Sequence, residues 1–375
     1  MEGILQFSGP QPLAADQRVQ VQRRFYAIVE YFEGLDDPSR REFNRPLLLH
    51  YTYDYSRSQL SKDTFLRSFF HFMDLDIADE EELNFDDGDL VQRLDTNLTS
   101  FADFLFDHFF MLLKAAGNQT RQPTPAHLSI IQSVQGQTHE FSPTPDRLSV
   151  LRGACLIRDH HRCVISRKFN LDEAVRRYKE DANNAQDDEG NPLQGQETAK
   201  LEVAHILPHS LTQARADSNL DDSQKAALAI LNMFDCDVAH LIDGVNIDRP
   251  YNAMSLTHDL HSLFGRFDVY FEAIPGREHT YQIDTFLPPF LLNLPVNRTL
   301  YLMHDRSIDP PSPRLLALHC AITHILHLSG AGEYTDKILG DMEEIGVLED
   351  GSSELGRMVQ LRLSGWLGGS VDTPA

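Results

Sequence analysis

The sequence predicts an α+β chain whose centre is a strand, strand, helix unit, with a mainly helical region before it and a further helix after it. Three observations carry this. Apolar residues recur at helical spacing before residue 117, as in Leu90, Leu94, Leu98, Phe101, Leu105 and Leu112. Two short β-prone runs, 201–207 and 251–256, are followed at once by a helix-like segment at 258–264. A third apolar stretch, 313–328, begins with proline and stops before Gly330.

In chain order, residues 17–34 and 89–116 read as amphipathic helices of an N-terminal region, residues 1–116. Residues 117–147 are rich in Gln, Thr, Pro and Ser and read as a linker. The central domain is expected over 148–345, interrupted by a polar insertion at 179–200 that has almost no apolar residues and reads as flexible. In the first β-prone run, period-2 alternation puts Val203 and His205 on one face, and Pro208 ends it. The second run contains Asn252 and leads to Thr257, a candidate N-cap for a helix carrying His258 and His261 at i, i+3. Leu260, Leu263 and Phe264 supply that helix with an apolar side. Residues 269–271 and 281–283 have strand character, and 346–375 read as a tail.

Composition narrows the function. The hydrophobic fraction is 41% over 375 residues, enough for one large core or two modest ones. The longest apolar stretch, 101–116, is broken by Asp103, Asp107, His108 and Lys114, so no membrane helix is expected. No basic-then-apolar leader opens the chain, which points to an intracellular, cytoplasmic or nuclear, location. Cys155, Cys163, Cys236 and Cys320 form no Cys-x-x-Cys pair, which argues against a disulfide framework or a paired-cysteine zinc site. The formal net charge of −23 opposes binding to a polyanion. Arg158, Arg162, Arg167, Lys168, Arg176, Arg177 and Lys179 form a local basic cluster that could offset it.

The run Ala204-His205-Ile206-Leu207-Pro208, followed by Asn246-Ile247-Asp248-Arg249-Pro250-Tyr251-Asn252 and by Thr257-His258-Asp259-Leu260-His261, resembles the HNH endonucleases, specifically a fungal group of them. The likeness starts near Arg158, reaches Phe271, extends to the helix around 314–339, and does not cover residues before about 145. It implies a ββα-metal fold with one divalent ion, Mg²⁺ first and Mn²⁺ or Zn²⁺ as alternatives. By motif position His205 would be the general base, Asn252 would position the base or the metal loop, and His261 would be a metal ligand. Nucleic acid would be the substrate.

The chain departs from that pattern at two expected ligand positions, where it has Ala204 and Gly265. His209, Asp259, Asp268 and Glu272 are the nearby candidates to replace them. Because fold does not fix function, two other readings stand beside the nuclease: a scaffold reused for small-molecule chemistry, and a catalytically silent interaction module presenting Phe104, Phe109 and Phe110. His319, His324 and His327 are scattered round an apolar helix and read as structural, as does Cys163. The acidic residues of 74–89 lack EF-hand spacing and read as a solvated loop.

Overall fold

The computed structural model describes residues 12–35, 42–79, 81–117, 144–212, 222–303, 307–344 and 355–363. The expected linker lies mostly outside the described residues. Two compact units emerge, one gathering 1–115, 213–241 and 321–375, the other 116–212 and 242–320. Each is assembled from non-consecutive segments, whereas the sequence suggested successive blocks. Both helices 111–117 and 313–328 carry a unit boundary within them.

The first unit is helical. It contains α1 (Ala15–Glu33), α2 (Arg45–Asp54), α3 (Gln59–Phe72), α4 (Gly88–Leu105), a π-turn (Phe106–Phe110) and the start of α5 (Met111–Gly117). The side chains of Asn44 and Ser58 accept the backbone N–H of Leu47 and Ser61, which starts α2 and α3 at those residues. The core is aromatic: Phe25 contacts Tyr53, Phe65 and Phe69, and Phe109 stacks on Phe234 of a later helix, Asp222–Phe234. Phe109 and Phe110 are fully buried. They therefore hold this unit together and do not form the exposed apolar surface expected for an interaction module.

The second unit contains α6 (Thr144–Arg158), β1 (Phe169–Asn170), α7 (Leu171–Asp181), β2 (Thr198–Ala199), β3 (Leu201–His205), β4 (Ala253–Thr257), α9 (His258–Gly265), β5 (Val269–Ala273), β6 (Thr280–Thr285), β7 (Val296–Thr299) and the start of α10 (Pro313–Leu328), α8 being the helix Asp222–Phe234 of the first unit. β3 and β4 form an antiparallel ribbon, and β5, β6 and β7 an antiparallel sheet. Thr257 is the N-cap of α9 by backbone conformation, although its hydroxyl makes no capping bond. His319 is buried, stacked on Phe264 and Phe267, with Nε2 on the Phe264 carbonyl oxygen at 3.0 Å, which accords with a structural role.

The polar stretch 179–200 is not a loose insertion. Asp187, almost fully buried, accepts hydrogen bonds from the Glu189 and Asn191 amides and from the side chains of Asn191, Gln196 and Arg162. Burial works to raise the Asp187 carboxyl, but those bonds outweigh it and bring it down to about 2. A single saturated carboxylate organises the segment where apolar side chains are scarce.

Candidate active site: two histidine–carboxylate clusters on one ribbon

The site is built on the β3–β4 ribbon. Its register pairs Val203 with Ser255 and His205 with Ala253, and pairs Glu202 with Leu256 and Ala204 with Met254. Strand alternation therefore sends His205 and Glu202 to opposite faces. On the His205 face, Leu151 and Cys155 of α6 pack against Val203 and Ala253. On the Glu202 face lies α9, which follows β4 without a break.

His205 ends β3, and Pro208 turns the chain into a short 3₁₀ turn that carries His209. A second 3₁₀ turn, Gly244–Asp248, brings Asp248 beneath both. One oxygen of Asp248, Oδ1, meets His205 Nε2 at 3.2 Å and His209 Nδ1 at 2.8 Å. The other, Oδ2, faces Arg147 Nε of α6 at 3.4 Å. Burial works to raise the Asp248 carboxyl, yet the bonds from His205 and His209 hold it well below the usual range. Burial pushes His205 below the ordinary imidazole value, and Asp248 only partly opposes that; the charges of His209 and His261 push it down further. His205 Nδ1 and His209 Nε2 are buried atoms to which no group among the described residues is hydrogen bonded.

Asn252 fixes this geometry. It is fully buried; its Oδ1 accepts the Leu207 amide at 3.0 Å, and its Nδ2 donates to the carbonyls of Leu207 at 3.1 Å and Ile247 at 2.9 Å. One side chain thus staples the loop after His205 to the turn before Asp248. Arg158 in turn fixes the backbone around Asn252. Its five N–H groups go to both oxygens of Asp159 and to the carbonyls of Pro250, Ala253 and Asp309. Asp159 Oδ2 also accepts the Ser255 amide of β4 at 2.9 Å.

On the opposite face Glu202 receives two histidines, one per oxygen: His258 Nδ1 at 3.0 Å and His261 Nδ1 at 2.7 Å. The hydrogen bond from His261 is the main cause that lowers the Glu202 carboxyl, and the bond to Glu202 raises His258. The three residues named from the sequence therefore divide: His205 and Asn252 belong to the Asp248 cluster, while His261 belongs to the Glu202 cluster. Of the proposed substitutes, His209 joins the first cluster. Asp259 and Glu272 are exposed, and Asp268 pairs with Arg266.

Gly265 has a steric reason to be glycine. A Cβ there would collide with the backbone carbonyl of Gly117, and one on Gly117 would collide with Gly265. Close backbone approach leaves no room for a ligand side chain at that position. Nothing in the sequence alone singles out Asp248, Glu202 or Arg147 as site residues. Asp248 lies within the second motif run and Glu202 within the first β-prone run, but each is far in sequence from the histidines it holds, whereas Arg147 falls in the expected linker and gives no signal.

The local basic cluster is spent on internal pairs. Arg158 is bound to Asp159, Arg162 to Asp187, Arg176 to Glu173 and Glu180, Arg177 to Glu173 and Asp188, and Lys168 to Glu197. Arg167 donates to the Thr299 carbonyl and lies over the Tyr301 ring. Five of the seven basic residues are thus paired with carboxylates, which reduces the free cationic surface the cluster could offer.

A family model described as HNH endonuclease (HNH_2) matches residues 163–272. The matched span contains both clusters and Asn252, and leaves out Arg147 and Arg158. No curated protein matches the chain, and no solved structure does. Among the described residues, no single helix is long and apolar enough to cross a membrane.

Proposed function

We propose that the ribbon and its helix hydrolyse phosphodiester bonds with the help of a divalent ion, as an HNH-type endonuclease in which His205 takes the proton of the attacking water. The observation that carries this reading is the asymmetry of the His205 ring. A carboxylate can only accept, so the nitrogen facing Asp248, Nε2, carries the proton. That leaves the lone pair on Nδ1, the buried atom that no group among the described residues engages. The lowered affinity of His205 for a proton keeps the ring neutral near pH 7, the state a general base must start from. When it takes a proton, Asp248 faces the new positive charge, as the carboxylate of a catalytic triad does.

The ion is assigned to His261, whose charge reaches His205. His261 Nδ1 is held by Glu202, the carboxylate–histidine arrangement that fixes the tautomer of metal-binding imidazoles, so Nε2 is the nitrogen for the ion. Ala204 and Gly265 offer no donor, and His261 with Glu202 behind it would hold Mg²⁺, Mn²⁺ or Zn²⁺. Such an ion supplies Lewis-acid stabilisation of charge on the phosphate and leaving oxygens. Asn252 acts through the loops it staples, as a positioning residue. The family match supports nucleic acid as the substrate. The pairing of Arg158, Arg162, Lys168, Arg176 and Arg177 with carboxylates favours a second reading, in which the same chemistry acts on a small phosphodiester or other small molecule.

The test is cleavage of supercoiled plasmid, single-stranded DNA and RNA with each of the three ions, for the wild type, His205→Ala and His261→Ala. Metal-dependent cutting reduced by about 10²–10⁴ in His205→Ala is expected from loss of a general base, with His261→Ala reduced as well. A folded wild type that cuts none of these with any ion rejects the nuclease and favours the small-molecule reading.

A further inference from the structure

We infer that His205, His209 and Asp248 form a second cation site, selective for a borderline transition ion of the zinc type, and that filling it takes the base out of use. One donor atom from each of the three residues lies within 4.8 Å of the others, and among the described residues this is the grouping of histidine, cysteine and carboxylate donors that meets that condition. Two imidazoles and one carboxylate form the N, N, O set that suits Zn²⁺ and Co²⁺. Mg²⁺ keeps most of its water and prefers oxygen, so it fits poorly here.

The surroundings also fit an ion. The side chains of His205 and Asp248 are 1% and 2% exposed, and that of His209 is 18% exposed, so the approach is from the His209 side. Asp248 is held from behind by Arg147 on Oδ2, and its loop is tied to the His205 loop by Asn252. Supports of this kind preorganise a ligand set before the ion arrives. Three protein ligands leave one position of a tetrahedron for water or a phosphate oxygen.

The consequence for chemistry follows from where the ring protons sit. Without an ion, the nitrogens facing Asp248 carry protons and donate them to Oδ1. An ion bound there takes the lone pairs of those same nitrogens, so the proton of the neutral His205 ring moves to its outer nitrogen. For His205 the outer nitrogen is Nδ1, the atom that must accept the water's proton. No proton need leave the protein, and no bond other than coordination forms. The cation site stands on its own geometry; only its silencing effect rests on the base role given to His205.

The first arm uses Co²⁺ as a coloured probe on the full chain, followed by visible absorption with Zn²⁺ and Mg²⁺ as competitors. One Co²⁺ with the strong bands of a tetrahedral site is expected, displaced by Zn²⁺ and left in place by millimolar Mg²⁺. His209→Ala and Asp248→Asn should each weaken binding on the order of 100-fold or more, since even outer partners of ligands are worth 10–100-fold. His209→Gln is a milder variant should alanine disturb the fold, checked by circular dichroism. His258→Ala should leave the bands unchanged. Absence of the bands in the wild type, undiminished affinity in the folded variants, or loss in His258→Ala would each overturn the site.

The second arm adds Zn²⁺ to Mg²⁺-supported cleavage. The wild type should slow as the cobalt-competing site fills, and His209→Ala should lose that response relative to its own zinc-free rate. Cleavage that ignores zinc while cobalt binds as expected overturns the silencing. A chain that binds cobalt as expected but cleaves nothing upholds the cation site and defeats the nuclease reading instead.

Discussion

The two faces of β3 carry the same residue types and put them to different use. On one face Asp248 offers a single oxygen to two histidines; His205 and Asp248 are buried and His209 is partly exposed. On the other, Glu202 gives one oxygen to each histidine, and the His258 side chain is 76% exposed. Burial and a neighbouring carboxylate pull an imidazole in opposite directions. On the Asp248 face burial wins and His205 is lowered; on the Glu202 face the carboxylate wins and His258 is raised. A histidine beside a carboxylate is therefore not one kind of group. Dehydration decides whether its affinity for a proton falls, as suits a base, or rises.

The sharpest way to break this comparison is to remove the residue that serves the buried face alone. Asn252→Ala leaves the Leu207 amide and the carbonyls of Leu207 and Ile247 buried without their partner. At about 1–3 kcal/mol for each buried group left unpaired, the loss should reach several kcal/mol. Urea unfolding should show a large fall in midpoint. A midpoint within error of the wild type would mean that the staple does not hold the loops in solution.

That staple also shows what the sequence could and could not reveal. Strand, strand and helix were legible because their signals are local: Pro208 closing the His205 run, Thr257 before His258, and Pro313 opening a helix that ends at Leu328. Asp248 was hidden because it meets His205 across 43 residues and His209 across 39, and Arg147 meets Asp248 across 101. Spacing rules do not span such gaps. The stretch 179–200 reads as flexible in sequence for a related reason. Composition counts apolar residues, and cannot see that Asp187 is saturated by five groups brought round it. The basic cluster reads as available because a sequence lists cations without their partners, whereas Glu173, Asp187 and Asp188 hold Arg162, Arg176 and Arg177.

A smaller effect should separate the faces by chemistry. Glu202→Gln keeps the shape but removes the charge behind His261. Loss of such a partner typically costs 10–100-fold in metal affinity. The Mn²⁺ concentration for half-maximal cleavage should rise by that factor, while cobalt binding at His205, His209 and Asp248 stays as in the wild type. Equal weakening of both would show that the faces are one site.

The smallest effect is the titration of His258. Its hydrogen bond to Glu202, with the charge attraction behind it, raises the imidazole above 6.5. A raised folded-state value means the protonated ring is favoured by folding. The stabilisation is complete below 6.5 and is lost as pH rises through the raised value. Exposure lets water screen the pair, so its effect on unfolding should be slight. Proton NMR of the ring offers the cleaner measurement. In the wild type His258 should titrate above 6.5 and His205 below it; in Glu202→Gln the His258 midpoint should fall toward 6.5 while His205 keeps its lowered value. A His258 midpoint that does not move would show that Glu202 does not hold this ring in solution. The contrast between the two faces would then rest on burial at Asp248 alone.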